Sequence, residues 1–281
     1  MADLLLVHDF PPMGGGIARW MGEFAKRANL VTSTGAMPDA NDGDFPGGVD
    51  RLWISTSRLK TVAGLLIWRS RVKTLVRRHR PGFIWAGNIR PTGRVAARTS
   101  HIDQVPFGLM VHGGDLLRFG EKYRRPRSRR SQARGILSTA AVIVANSRWT
   151  AALAAEVGGQ FEVVFGDRLQ VVPLGSDPVR FHPGSPQDAA TRFGLPPGRT
   201  WLVTVARLVP HKGIDRGIEV VSRLRHLYPS GATSSPDRGP ILAGCKIWRP
   251  GRASLTEFTF ARTSPTGTSR PSIGSRRCIS A

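Results

Sequence analysis

The chain has 281 residues, with 41 Lys and Arg against 19 Asp and Glu (net charge +22) and 40% hydrophobic content. That length can bury one large core or two modest ones. No apolar run reaches the roughly 18 residues of a membrane span, and two cysteines, Cys245 and Cys278, make neither a disulfide framework nor a cysteine metal site, so a cytoplasmic setting is the default.

The start, Met-Ala-Asp-Leu-Leu-Leu-Val-His-Asp-Phe, lacks a basic leader and a cleavage site and reads as a buried first strand over Leu4–Val7. Asp9-Phe-Pro-Pro-Met-Gly-Gly-Gly follows, and then Ile17, Trp20, Met21, Phe24, Ala25 and Ala28 fall on one face of a helix. The chain therefore opens as strand, Gly-rich loop, helix. Gly14, Gly15 and Gly16 let the backbone approach a ligand, and the helix start presents free N–H groups suited to phosphate. The G-x-G-x-x-G dinucleotide pattern is incomplete, because Arg19 stands where its third glycine belongs.

Alternation continues with a basic helix over 71–80 and strands over 82–86, 107–112 and 140–145. A helix from about Ser147 and a short strand at Val171-Val172-Pro173 follow. Such alternation implies a parallel sheet with helices on both faces. His112-Gly113-Gly114-Asp115 comes at a strand end, where a histidine could hydrogen-bond a sugar hydroxyl or serve only structure. Lys122 to Arg134 is the densest basic stretch; it reads as a solvated surface loop or as a membrane-surface patch. The overall charge suits anionic partners such as phospholipid head groups or nucleotide phosphates. Nucleic acid is not expected, since no zinc-finger or single-strand-binding signature accompanies the charge.

From Asp177 to Thr200 the sequence turns Pro- and Gly-rich and reads as an interdomain linker. A new strand is expected over 201–205, then Arg207-Leu-Val-Pro-His-Lys-Gly, then a helix from about Gly213 with Ile214, Ile218, Val221, Leu224 and Leu227 on one face. Arg207 and Lys212 could clamp a diphosphate and stabilise it as a leaving group, or could be two solvated charges.

Five motifs in order carry a family likeness: Pro11-Pro-Met-Gly-Gly-Gly-Ile, Val111-His-Gly-Gly-Asp, Val144-Ala-Asn-Ser-Arg-Trp-Thr, Val172-Pro-Leu-Gly-Ser-Asp and Val205-Ala-Arg-Leu-Val-Pro-His-Lys-Gly-Ile-Asp. Over about Leu4 to Tyr228 the chain resembles glycosyltransferase family 4, retaining and metal-independent enzymes of the GT-B fold, some of which mannosylate phosphatidylinositol lipids. The resemblance implies an α/β, GT-B-like protein with a nucleotide-sugar donor as substrate, no cofactor and no metal. It implies a lipid-linked or saccharide acceptor and a location that is cytoplasmic or peripheral at the inner face of the plasma membrane. His112 would contact the transferring sugar, Arg207 and Lys212 would hold the donor diphosphate, and Gly14, Gly15 and Gly16 would face donor and acceptor. Gly113, Asn146 and Ser147 would line the cleft more remotely.

The implied organisation is a complete N-terminal Rossmann-like domain over 1–178, a linker over 179–200, the beginning of a donor domain over 201–229, and an aberrant tail over 230–281. In that tail, 33 of 52 residues are Ser, Thr, Gly, Pro or Arg, and disorder is expected. The resemblance calls for a carboxylate pair, E-x7-E, deeper in the second domain, whereas Glu257 is the sole glutamate after Glu219. A frameshift after Pro229 accounts for this: read in the neighbouring codon frame, Phe258 to Ala281 permits an apolar strand, a turn and a helix of family type. A natural Ser/Arg-rich tail is the alternative. Competing functions are a non-catalytic binding module for an anionic lipid surface, a basic nucleic-acid binder, and a dehydrogenase with Asp39 as ribose ligand, which the missing glycine disfavours.

Overall fold

The structure is a computed structural model that describes residues 2–38, 40–125, 127–185, 188, 191, 204, 212–227, 245–248 and 255–258. It falls into two compact units, Met1–Ser176 and Asp177–Ala281.

The first unit is built on seven parallel strands: β1 (Leu4–Leu6), β2 (Val31–Ala36), β3 (Val49–Ser55), β4 (Ile84–Ala86), β5 (Phe107–Val111), β6 (Val142–Ala145) and β7 (Leu169–Val171). Their order across the sheet is β3-β2-β1-β4-β5-β6-β7, so the order reverses between β1 and β4. Ligands of open α/β sheets bind beyond the carboxyl ends of the strands at such a reversal.

Strand alternation sorts the core into two faces. Leu4 and Leu6 join Ile84, Ala86 and Leu109 on one face, under helices α2 (Val62–His79), α3 (Arg94–Asp103), α4 (Gly113–Tyr123), α5 (Arg127–Thr139) and α6 (Arg148–Gln160). Leu5, Val7 and Met110 point to the other face and pack against Met21 and Ala25 of α1 (Gly16–Arg27). Near-continuous apolar strands are what burial on both faces requires.

Local chemistry fixes the helix ends. Thr61 caps α2 by accepting from the Gly64 N–H at 3.0 Å. At its far end Arg77, Arg78 and His79 sit against the negative end of the helix dipole, before Arg80 closes it with φ 47°. Ser147 starts α6 by accepting from the Thr150 N–H.

Two readings from sequence are corrected here. The basic stretch Lys122–Arg134 is not a loop. It comprises the end of α4 and, from Arg127 on, the first turns of α5, which buries Ala133, Ile136 and Leu137 and leaves its arginines outside. The basic helix over 71–80 begins nine residues earlier, at Val62. Strands β2 and β3 and helices α3 and α4 were not anticipated as elements.

In the second unit, α7 (Ile214–Leu227) matches the helix expected after Gly213. The strand expected over 201–205 lies outside the described residues except for Thr204. Within the tail, the described segments are two short antiparallel strands, β8 (Cys245–Trp248) and β9 (Leu255–Phe258).

Candidate active site

Four strand ends converge at the order reversal. β1 delivers His8 and Asp9, β4 delivers Gly87 and Asn88, β5 delivers His112, and β6 delivers Asn146 and Ser147. His112 is 6% exposed, and its Nε2 lies 3.2 Å from the Gly87 carbonyl oxygen. A carbonyl can only accept, so Nε2 carries the proton. In the neutral ring Nδ1 is then the acceptor. Trp20 of α1 packs edge-on to this ring, with centroids 5.6 Å apart.

Burial pushes the His112 imidazole below its usual range, against the opposing pull of the Asp115 carboxylate, the Gly87 hydrogen bond and Asp9. The ring is therefore neutral near pH 7. Burial likewise raises the Asp115 carboxyl, while the Arg118 charge pulls it back. Asp9 goes the other way: the hydrogen bond from His8, Nδ1 to Oδ1 at 2.7 Å, holds its carboxyl below the usual range despite burial, with the Lys60 charge adding to the effect. One carboxylate here is thus kept ionised beside a neutral histidine. His8, itself buried, leaves its Nε2 without a hydrogen-bond partner among the described residues.

The Gly14–Gly16 loop is exposed and opens α1, whose first turn holds no acidic residue. Gly15 has φ 136°, which only glycine adopts without strain, and a Cβ there would meet nothing within 4 Å. Gly16 has equally open surroundings but helical backbone. Gly15→Ala is therefore expected to cost about 1–2 kcal/mol through backbone strain alone. Gly16→Ala should be neutral or stabilising by up to about 1 kcal/mol. Urea unfolding of the pair checks this, and equal effects would refute it.

Asn146 and Ser147 prove to be helix-entry groups. Thr150 Oγ1 donates to Asn146 Oδ1 at 2.7 Å, and Ser147 caps the same turn. Gly113 is close to Trp149, since a Cβ added there would lie 2.5 Å from the indole Cζ3. Trp149 is 62% exposed, an aromatic face beside Gly113 of the kind that suits a sugar ring. In the sequence Trp149 stands only within the motif Val144-Ala-Asn-Ser-Arg-Trp-Thr, and His8–Asp9 only as the end of the first strand. The signal for both was their position next to Gly-rich strand termini.

Lys212 is exposed just before α7 in the second unit, and Arg207 lies outside the described residues. Among the described residues no group of three or more His, Cys, Asp or Glu is placed to hold a metal ion.

A mannosyltransferase from Mycolicibacterium smegmatis, named as the GDP-mannose-dependent α-(1-6)-phosphatidylinositol monomannoside enzyme, is 26% identical over 247 residues, covering 85% of this chain and 61% of that protein. The fold agrees with this likeness. HepE from Anabaena, solved in complex with UDP, superposes with a TM-score of 0.58 at 20% identity over 79% of this chain and 58% of its own. The fold is GT-B-like. A D-inositol 3-phosphate glycosyltransferase from Nocardia farcinica is 32% identical over 110 residues, which is 38% of this chain and 23% of that protein. No family model matches the chain. The GT-B-like chain spans about three-fifths of the length of the mannosyltransferase it matches.

Proposed function

We propose that this chain carries the acceptor-side domain of a retaining, metal-independent glycosyltransferase, which moves a mannose- or glucose-type sugar from a nucleoside diphosphate sugar to a lipid-linked or saccharide acceptor. The observation that carries the reading is His112. It is a neutral, buried histidine at the sheet's order reversal, with Nε2 committed to Gly87 and Nδ1 free to accept from a hydroxyl. The names of the mannosyltransferase and inositol-phosphate relatives support the same class.

In the reaction the bond from the sugar's anomeric carbon to the donor phosphate breaks, and its electron pair leaves with the diphosphate. The acceptor oxygen bonds to that carbon, and its proton passes to the departing phosphate. His112 orients the sugar through a hydroxyl, while Trp149 offers an apolar face. Gly15 and Gly16 allow close backbone approach. Arg207 and Lys212 are assigned the donor diphosphate, whose growing charge they would neutralise. Asn146 and Ser147 hold the cleft wall in shape.

The domain division is read as 1–178, 179–200, 201–229 and a tail over 230–281. Because these 281 residues contain no E-x7-E after Glu219, the chain as given is read as binding without turnover. No helix among the described residues is long and apolar enough to cross a membrane. Peripheral attachment is favoured by α2, which exposes Val62 and Leu66 alongside Lys73, Arg77 and Arg78.

The test uses the purified chain with GDP-mannose or UDP-glucose and an inositol phosphate acceptor. The expected result is no acceptor-dependent release of GDP or UDP, together with saturable binding of the sugar nucleotide by NMR that His112→Ala weakens about tenfold. Turnover would defeat the inactive reading. Binding indifferent to His112 would defeat its assigned role.

A further inference from the structure

We propose that a concavity of about 330 Å³ between α2, the turn after β4, α4 and α5 is a binding site for a phosphate group. Its lining includes Arg90, Arg94, Lys122, Tyr123 and Arg129, and no carboxylate. This goes beyond the transfer reading and does not rest on it.

Four observations meet here. First, none of the four cations pairs with a carboxylate among the described residues. Like charges gathered this way repel unless an anion joins them. Second, Arg90 is held in place. The turn Ile89–Gly93 is locked by Asn88 and Thr92, whose N–H groups donate to each other's side-chain oxygens at 3.0 and 3.2 Å. From this turn the Arg90 guanidinium lies over the Tyr123 ring, 5.1 Å from its centroid. A stacked, planar guanidinium is pre-organised for a bidentate grip on an oxyanion.

Third, Tyr123 is 2% exposed, yet its hydroxyl has no hydrogen-bond partner among the described residues. A buried donor left unmade is costly, and a small side-chain shift that opens the hydroxyl to a phosphate oxygen in the concavity would satisfy it. Fourth, α5 begins there with Arg127, Ser128, Arg129 and Arg130, and no acidic residue in its first turn. Cations at the positive end of a helix are unfavourable, and a bound anion reverses that cost. Glu162 answers Arg130 and Arg134, at 2.8 Å each, but not Arg129.

The site sits at the last turn of α4, whereas His112 caps its first, so along the helix the two are roughly 15 Å apart. The phosphate could belong to a soluble metabolite or to a lipid headgroup, and the experiment separates these sources.

Inorganic phosphate is titrated into the full chain by calorimetry against chloride at matched ionic strength. Saturable binding is expected. Arg129→Gln, an exposed change, should weaken it about tenfold, and Tyr123→Phe, which removes one hydroxyl and no charge, several-fold. Melting temperatures of both variants without phosphate should match the parent.

The same proteins are floated with phosphatidylcholine vesicles containing or lacking phosphatidylinositol. If Tyr123→Phe lowers flotation in step with phosphate affinity, the site takes a headgroup. If it lowers phosphate affinity alone, the site takes a soluble phosphate. Absence of saturable phosphate binding, or parent-like affinity in both variants, overturns the proposal.

Discussion

Trp68→Ala is expected to destabilise the first unit by about 3–5 kcal/mol, the range for removing a fully buried aromatic. Trp68 projects from α2 onto β2, has no exposed surface, and donates its indole N–H to Ser33 Oγ at 3.0 Å. The alanine variant leaves a large void and also strands the Ser33 hydroxyl, so neither half of the contact can relax independently. For a unit of this size the melting temperature should fall by roughly 10 °C. Trp68→Phe should recover much of the packing and none of the hydrogen bond, placing it between the two. Urea unfolding measures all three, and a loss below about 1 kcal/mol in the alanine variant would show that α2 does not anchor on β2.

Gly64→Ala is expected to cost about 3 kcal/mol or more, although it adds a single methyl group to a helix. The new Cβ would lie 2.0 Å from the Arg58 carbonyl oxygen and 2.8 Å from its carbon. Both are backbone atoms of the 3-10 turn Thr56–Lys60, so no side-chain rotation relieves the clash. Ordinarily alanine improves a helix over glycine by about 1 kcal/mol, so here the sign of the propensity rule is reversed by packing. The displaced turn carries Lys60, whose charge acts on Asp9, and adjoins Val62 at the rim of the Arg90 concavity. Leu66→Ala, on the exposed side of the same helix, should change stability by no more than about 0.5 kcal/mol, which makes it the control.

The parts of this fold that were legible were those whose residues repeat a simple pattern. Leu4–Leu6, Phe107–Val111 and the α1 stripe announce themselves by apolar runs or helical spacing. β2 did not, because Val31-Thr-Ser-Thr-Gly-Ala reads as a polar turn. It is nonetheless buried, and Thr32 and Thr34 keep hydroxyls with no hydrogen-bond partner among the described residues. Only its place between β1 and β3 forces it into the sheet. α5 was hidden for the opposite reason: its arginines drown a stripe of three buried residues, Ala133, Ile136 and Leu137.

For the site, the Gly-rich loop and His112 stood out from their motif context. The ionised Asp9, the acidic neighbour Asp115, the aromatic Trp149 and the stacked Arg90 depended on which strand ends meet, and that is a property of strand order rather than of local sequence. Arg207 and the strand expected before it remain expectations of the sequence alone.

Helix α4 has a further meaning as a spacer. Its backbone is a stiff rod with His112 at one end and Tyr123 at the other, and its length does not adjust to what binds. A molecule that touches both ends must itself reach roughly 15 Å. A simple monosaccharide phosphate is too short for that. One with a second sugar, or with a tether between hydroxyl and phosphate, is long enough. For a ligand that fills both proposed sites, the rod would set a minimum length before any individual contact discriminates.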